Sequence, residues 1–213
     1  MLERFRQFWT GVFAPVGNAL IALGVTPNQV TVVGTLGVAS GALICFPQGW
    51  LFWGVLWVTA FVFSDMIDGY MSRKLGTTSK FGAFLDSTMD RIGDGAIFGG
   101  IALYYAGSHA GADLGSVDLY LWLSLICLVA GSVTSYARSR AESLGYEAKV
   151  GIAERSDRLV SILVMTGFSG LLGWEFLMEI TLWVLAAAST ITVIQRVWVV
   201  RQQALAEVDR DLS

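Results

Sequence analysis

Apolar residues run along most of the chain in long stretches separated by short polar segments. Stretches long enough to cross a bilayer as helices lie at about 29–46, 50–73, 82–105, 118–137, 158–173 and 177–199. Because lipid offers no hydrogen-bond partner to the backbone, each spanning segment is expected to be helical. The pattern therefore predicts an all-α integral membrane protein whose six transmembrane helices form one domain over about 26–200.

The two ends of the chain have a different pattern. In residues 1–25, Leu2, Phe5 and Trp9 recur at helical spacing, with arginines on other faces. This arrangement is typical of an amphipathic helix lying in the membrane interface rather than spanning it. Packing of its apolar face on the bundle is the other interpretation, and both can hold. Residues 201–213 are polar and form a short cytoplasmic tail, either helical or disordered.

Composition and charge agree with a membrane location. Hydrophobic residues make up 54% of the chain and charged residues only 15%, whereas a soluble domain carries about a quarter charged residues. Lys and Arg are absent from the connections at 46–50, 106–117 and 172–178. By the positive-inside rule, both termini lie on the cytoplasmic side of the cell membrane, with the connections that hold the charged residues.

One cytoplasmic segment carries acids in two helical pairs, Asp65 with Asp68 and Asp86 with Asp90. Residues three or four apart share a helix face. The second span ends at this border and the third begins there, so an antiparallel helix pair brings the acids together. Carboxylates at a membrane border are costly unless they meet a cation. Oxygen ligands of this density suit Mg²⁺ or Mn²⁺.

Two classes of protein other than enzymes are alternative explanations for this acidic segment. A cation transporter also places acids inside a membrane bundle, but usually near the midplane on broken helices, often within inverted repeats. Here the acids lie at one border, and the sequence has no internal repeat. A structural scaffold gives no reason for the acids at all. An enzyme is therefore the favoured interpretation.

The spacing of the acids matches a known signature. It reads Asp65-xx-Asp68-Gly69-xx-Ser72-Arg73, then eight residues, then Gly82-xxx-Asp86-xxx-Asp90. This closely resembles the signature of the CDP-alcohol phosphotransferase family, which are membrane enzymes of phospholipid synthesis. The family usually has Ala at the position of Ser72, another small residue.

The resemblance implies a reaction and a metal site. Family members transfer a phosphatidyl group from CDP-diacylglycerol to an alcohol and release CMP. One Mg²⁺ ion is then held by Asp65, Asp68 and Asp86, and a second by Asp65, Asp86 and Asp90. Mn²⁺ is a possible substitute. Asp90 is the expected general base, taking the proton from the attacking hydroxyl.

Further residues are candidates for binding CDP-diacylglycerol. Thr26 and Pro27 form a strong helix start signal, and the segment after them faces the nucleotide in related enzymes. Glycines next to the acids allow close approach of a phosphate, and a guanidinium fits its oxygens in a bidentate manner. The candidates are Asn28, Gln29, Val30, Thr31, Gly69, Arg73, Ser79 and Gly82.

Three short runs of sequence narrow the choice of acceptor alcohol. DRIGDG (90–95), SYARSRAE (135–142) and ERSDR (154–158) resemble the phosphatidylinositol phosphate synthases of actinobacteria, which use inositol 1-phosphate. A phosphorylated acceptor needs cations of its own, although positive charge at inner helix ends is also expected for topology alone. The candidates are Ser132, Ser135, Arg138, Arg155 and Arg196. Phosphatidylglycerophosphate synthesis, with glycerol 3-phosphate as acceptor, is the nearest alternative.

Two expectations concern neighbours of this machinery. Asp94 continues the Asp86–Asp90 face by one turn but lies outside the family's signature. We expect it to pair with Arg91 or a neighbouring helix rather than to bind metal. Members of the family are commonly homodimers, and the Gly- and aromatic-rich faces of the third and fourth spans are candidates for the contact. No nucleic acid is expected as a partner.

Overall fold

The computed structural model describes residues 13–108 and 114–211, and within them every regular element is a helix. The elements are α1 (Phe13–Ala22), α2 (Pro27–Cys45), α3 (Leu51–Val62), α4 (Ser64–Leu75), α5 (Lys80–Ser108), α6 (Leu114–Ser143), α7 (Arg155–Leu172) and α8 (Phe176–Asp211). The prediction of an all-α fold is confirmed. The first half of the predicted interfacial helix, residues 1–12, lies outside the described residues.

Length and hydropathy single out four helical segments that could cross a membrane. They are Pro27–Cys45, Leu51–Leu75, Leu119–Ser143 and Phe176–Asp209. The other two predicted spans, α5 and α7, do not meet the same criterion. α5 carries acids through its first half, and α7 begins with charged residues. The prediction of a membrane protein is thus confirmed. Length and hydropathy identify four of the six predicted spans.

The start of α2 follows its local sequence. The Thr26 hydroxyl accepts a hydrogen bond from the Gln29 N–H (3.4 Å), and the Gln29 side chain accepts one from the Thr26 N–H (2.9 Å). This is a capping box, which satisfies two amides that the helix itself leaves without partners. Pro27 occupies the first turn, where its missing N–H costs nothing. The predicted helix start is confirmed.

The predicted second span is in fact two helices. The helical pattern breaks at Phe63, between α3 and α4, and neither Gly nor Pro marks the position. Asp65 therefore lies in the first turn of α4, with Asp68 on the same face one turn later. α4 ends at Gly76, whose φ of 63° is a left-handed conformation that favours glycine.

Two close approaches set the spacing of the helices that carry the acids. A Cβ on Gly34 of α2 would lie 1.8 Å from the Ser64 Oγ of α4. A Cβ on Gly100 of α5 would lie 2.4 Å from the carbonyl oxygen of Ala42 on α2. Neither position has room for a side chain, so α4 and α5 both pack directly against the α2 backbone.

The extended end of α8 holds the loop between α6 and α7. The Glu147 N–H donates to the Gln203 side chain (2.9 Å), and the Gln203 amide donates back to the Glu147 carbonyl (2.6 Å). The Tyr146 hydroxyl donates to Glu207 at 2.7 Å, and that carboxylate raises the pKa of the tyrosine. Of the two alternatives for the C-terminal tail, the helical one holds through Asp211.

Candidate active site

Three of the four paired acids line a groove between α2, α4 and α5. This acidic groove has a volume of about 260 Å³ and is lined by Pro27, Asn28, Thr31, Asp65, Asp68, Gly69, Ser72, Thr78, Ser79, Gly82, Ala83 and Asp86. The structure thus brings together three of the four predicted metal ligands and five of the eight predicted CDP-diacylglycerol residues: Asn28, Thr31, Gly69, Ser79 and Gly82.

Hydrogen bonds orient the polar side chains of this groove. Asp68 is only 8% exposed, and its Oδ2 accepts a 2.5 Å hydrogen bond from the Thr31 hydroxyl. The Ser79 hydroxyl accepts one from the Gly82 N–H at 2.9 Å. A Cβ on Gly82 would lie 3.2 Å from this hydroxyl and 3.6 Å from the Asn28 side chain. Glycine therefore leaves the groove open where α5 begins.

Three predicted CDP-diacylglycerol residues lie beside the groove rather than on its wall. Gln29 is engaged in the capping box, and Val30 is absent from the lining. Arg73 is exposed, and its Nη1 lies 3.3 Å from where a Gly69 Cβ would stand. Its guanidinium therefore lies next to a residue of the groove wall without being part of that wall.

A small cavity of about 50 Å³ lies deeper in the bundle. This central cavity is lined by Asp65, Asp90, Asp94 and Arg155, together with Gly34, Thr35, Val38, Phe61, Val62, Ser64, Met89, Gly93, Ile97 and Leu159. Asp65 also lines the acidic groove. The predicted base, Asp90, thus faces a separate space that shares one wall with the groove.

Arg155, at the start of α7, joins two acids of α5. Its Nη1 lies 2.9 Å from Asp90 Oδ1, and its Nε donates to Asp94 Oδ1 at 2.9 Å. The expected pairing of Asp94 with Arg91 or a neighbouring helix is confirmed, because Arg155 and Arg91 both contact it.

A larger cavity lies beyond Arg155, between the first halves of α5 and α7, the end of α6 and the middle of α8. This arginine cavity has a volume of about 550 Å³ and is lined by Ser87, Arg91, Thr134, Ser135, Arg138, Ser139, Glu142, Ala153, Glu154, Arg155, Ser156, Arg158 and Arg196. Five arginines face two glutamates there. Such an excess of guanidinium groups suits a ligand with more than one negative charge.

The cavity contains four of the five predicted acceptor residues, namely Ser135, Arg138, Arg155 and Arg196. Ser132 is not part of its lining. Arg91 and Arg158 are additional arginines that the sequence interpretation did not assign to the site. Their signal was present in the sequence, since both belong to the runs 90–95 and 154–158 that carried the resemblance.

Two arginines of the arginine cavity, Arg196 and Arg138, are held by neighbouring groups. Arg196 is only 7% exposed, and it donates to the carbonyls of Val150 (2.9 Å) and Thr134 (2.5 Å). Arg138 pairs with Glu142 at 2.9 Å. Arg196 is therefore fixed by backbone contacts, while Arg138 has an exposed partner that a stronger anion can replace.

The acids fit a divalent cation in their chemistry, although not as one tight cluster. Among the described residues, no Lys, Arg or His forms an ion pair with Asp65, Asp68 or Asp86. Within the same residues, no three acidic, His or Cys side chains stand close enough together to hold a metal. The predicted set of Asp65, Asp68, Asp86 and Asp90 therefore needs side-chain rotation to close on an ion. Unpaired carboxylate oxygens on one groove are the ligands that Mg²⁺ and Mn²⁺ prefer.

Comparison with known proteins identifies relatives of the whole chain. Residues 24–194 match the model of the CDP-alcohol phosphatidyltransferase family. The phosphatidylinositol phosphate synthase of Streptomyces avermitilis is 48% identical over 98% of this chain and 86% of its own. That of Cutibacterium acnes is 49% identical over 95% of this chain and 98% of its own.

Solved structures show the same fold. The phosphatidylinositol phosphate synthase of Mycobacterium tuberculosis with CDP-DAG bound superposes with a TM-score of 0.81 at 39% identity, over 89% of this chain and 93% of its own. The complex of that enzyme with manganese and citrate gives 0.82 at the same identity, over 88% of each chain.

Proposed function

Because the chain belongs to the CDP-alcohol phosphatidyltransferase family, we propose that it transfers the phosphatidyl group of CDP-diacylglycerol to inositol 1-phosphate and releases CMP. One observation carries this proposal. An acidic groove and an arginine cavity lie on either side of a small cavity that contains Asp90, and Arg155 lines both the small cavity and the arginine cavity. The acidic groove suits a diphosphate bound to metal, and the arginine cavity suits a phosphate monoester.

The donor binds in the acidic groove. Asn28, Thr31 and Ser79 present polar groups, while Gly69 and Gly82 let the diphosphate approach the backbone. Gln29, Val30 and Arg73 flank the groove, and Arg73 turns toward the phosphates when the donor is present. The acyl chains of CDP-diacylglycerol remain in the bilayer beside the bundle.

Two divalent ions, Mg²⁺ or Mn²⁺, would be held by Asp65, Asp68 and Asp86 and by Asp65, Asp86 and Asp90. When bound, they would supply positive charge to the diphosphate and to the leaving CMP. The protein's own part is to fix the carboxylates. The hydrogen bond from Thr31 does so for Asp68.

Asp90 acts as the general base. It accepts the proton of the acceptor hydroxyl as that oxygen attacks the phosphorus atom next to the diacylglycerol. The new P–O bond forms while the bond to CMP breaks, and the electron pair of that bond leaves with CMP. Arg155 lies 2.9 Å from Asp90 and orients its carboxylate between the two substrates.

The acceptor phosphate binds in the arginine cavity. Arg138, Arg155 and Arg196 supply charge, and Ser135 supplies a hydroxyl group. Ser132, three residues earlier on α6, is the alternative hydroxyl partner of the acceptor phosphate. The cavity volume of about 550 Å³ leaves room for a sugar alcohol as well as its phosphate.

The proposal extends to the arrangement of the chain in the membrane. Residues 26–200 form one six-span domain in which α5 and α7 join the four apolar segments as membrane helices. Residues 1–25 lie in the interface, and residues 201–213 lie in the cytoplasm. The active site and both termini face the cytoplasm, and two copies associate through the third and fourth spans.

CMP release by the purified protein tests the proposal. With CDP-diacylglycerol and Mg²⁺, we expect release with inositol 1-phosphate but not with free inositol. Release with glycerol 3-phosphate instead would keep the mechanism and change the acceptor. No release with any acceptor would overturn the enzyme assignment and bring back cation transport as the explanation of the acids.

A further inference from the structure

Asp94 is a buried acid that the reaction described above does not use. It is 8% exposed and lies one helical turn beyond Asp90 on α5. It does not line the acidic groove, although it shares the central cavity with Asp65 and Asp90. Its place is the central cavity, on the side of the arginines.

Three guanidinium groups converge on this one carboxylate. Arg155 Nε lies 2.9 Å from Asp94 Oδ1, while Arg91 Nε and Arg158 Nη2 lie 3.9 Å and 4.0 Å from Oδ2. All three arginines also line the arginine cavity. Asp94 itself is not part of that lining, so it contacts the arginines on the side that faces away from the cavity.

The carboxylate of Asp94 reduces the electrostatic repulsion among these arginines. Arginines held side by side in a partly buried site repel one another, and Arg158 is only 2% exposed. A buried carboxylate behind them offsets that repulsion. Because Asp94 takes the Nε of Arg155, it also fixes the direction of the guanidinium plane.

The remaining N–H groups of Arg91 and Arg158 support the same interpretation. The Arg91 Nε is buried 3.9 Å from Asp94, too far for a hydrogen bond, and has no hydrogen-bond partner among the described residues. Its Nη2 approaches Asp90 at 3.6 Å, while within the described residues the Arg158 guanidinium donates one hydrogen bond, from Nη1 to the Ala153 carbonyl at 3.3 Å. Because the Nε of Arg91 is closed off, the donors left for a ligand in the cavity are terminal Nη groups.

We propose that Asp94 is the positioning residue of the arginine cavity: it holds Arg155, with Arg91 and Arg158 beside it, so that their remaining N–H groups bind the phosphate group of the acceptor. Asp94 touches neither substrate and acts through the arginines. The inference rests on the proposed function only for the identity of the phosphate ester, and its core is the binding of a phosphate monoanion or dianion.

Direct binding of inorganic phosphate tests the inference without turnover. The full-length protein in detergent, without added metal, is titrated with phosphate in a calorimeter. For Asp94→Asn we expect affinity to fall about tenfold, the typical effect of losing a charged hydrogen-bond partner. Asp209→Asn, an exposed acid on α8, is the matched control and is expected to bind as the wild type. Equal affinity in wild type and Asp94→Asn would overturn the inference.

A double-mutant cycle separates positioning from a general structural role. If Asp94 acts mainly through Arg155, Asp94→Asn changes phosphate affinity much less in an Arg155→Ala background than in the wild type. Additive effects would count against positioning. Should Asp94→Asn fail to fold, Asp94→Glu tests the same point, since it keeps the charge but moves the carboxylate by one methylene. Weaker phosphate binding by that variant supports the inference, and unchanged binding overturns it.

Steady-state kinetics add a readout that a loss of folded protein would not produce. For Asp94→Asn we expect the KM for inositol 1-phosphate to rise about tenfold, with the KM for CDP-diacylglycerol unchanged. An equal rise in both values would contradict the inference. If the wild type gives no CMP with inositol 1-phosphate, the proposed function fails, while the phosphate titration still decides the role of Asp94.

Discussion

The hydroxyl of Thr31 donates a 2.5 Å hydrogen bond to Oδ2 of Asp68. The bond joins α2 to α4 across the acidic groove, between residues 37 positions apart in sequence. It matters because Asp68 has no ion-pair partner among the described residues, and the hydroxyl is the side chain that orients it. A metal ligand held in this manner is ready to bind before the ion arrives.

Thr31→Val is expected to weaken metal activation. Valine keeps the shape of threonine but removes the donor, so Asp68 loses its orientation. We expect the Mg²⁺ concentration for half-maximal CMP release to rise about tenfold. Thr31→Ser keeps the hydroxyl and is the control. An unchanged Mg²⁺ requirement in Thr31→Val would show that the hydrogen bond does not prepare the metal site.

Asp90→Asn is expected to remove the base, and it also replaces one carboxylate ligand of the second ion with a neutral amide. The amide oxygen can still accept from Arg155, but the group no longer takes a proton. We expect kcat to fall about a thousandfold, with CDP-diacylglycerol still bound. Single-turnover CMP release and donor binding measure the two effects separately, with Asp209→Asn as control. Near-normal turnover would assign the base to another residue.

Arg155→Ala is expected to abolish turnover at ordinary inositol phosphate levels. The change removes a cation from the arginine cavity and leaves Asp90 and Asp94 without their 2.9 Å partner. The apparent KM for inositol 1-phosphate should rise about tenfold or more. Arg140→Ala, an exposed arginine outside the cavity, is the matched control. Normal apparent affinity for inositol 1-phosphate in Arg155→Ala would rule out this acceptor site.

Gly34→Ala is expected to destabilise the fold. The new methyl group would lie 1.8 Å from the Ser64 Oγ and 2.6 Å from its Cβ, so α4 must move away from α2. Overpacking of this kind costs about 1–3 kcal/mol. Thermal unfolding in detergent measures the loss. Gly95→Ala, where no atom lies within 4 Å of the new Cβ, is the control and should not destabilise the protein.

Gln203→Ala is expected to loosen the loop between α6 and α7. The side chain makes paired hydrogen bonds with the backbone of Glu147, and they hold the loop that leads to Arg155. We expect faster hydrogen exchange in residues 144–154, while Gln202→Ala, its exposed neighbour, leaves exchange unchanged. Identical exchange in both variants would show that the hydrogen bonds of Gln203 do not restrain the loop.

The sequence predicted best where the signal is local. Thr26 and Pro27 specify the start of α2 through caps that need only neighbouring residues. The acids of the groove are recognised from their spacing because helical periodicity places them on shared faces. The short connection between α4 and α5 then brings both pairs to one end of the bundle.

What the sequence did not predict depends on distant packing. The break at Phe63 has no Gly or Pro, and the arrangement of α4 against Gly34 cannot be read from residues 50–73 alone. Arg158 resembles any topological arginine until its side chain is seen to be 2% exposed near Asp94. The pairing of Arg155 with Asp90 likewise needs the approach of α7 to α5.

The contact of Gly100 with the Ala42 carbonyl has an evolutionary consequence. The distance between α2 and α5 is set there by main-chain atoms and requires glycine at position 100. Exposed residues of these helices, such as Leu36 and Leu103, take no part in that contact. They can therefore drift during evolution without changing the separation of α2 and α5, whereas a side chain at position 100 would force the two helices apart.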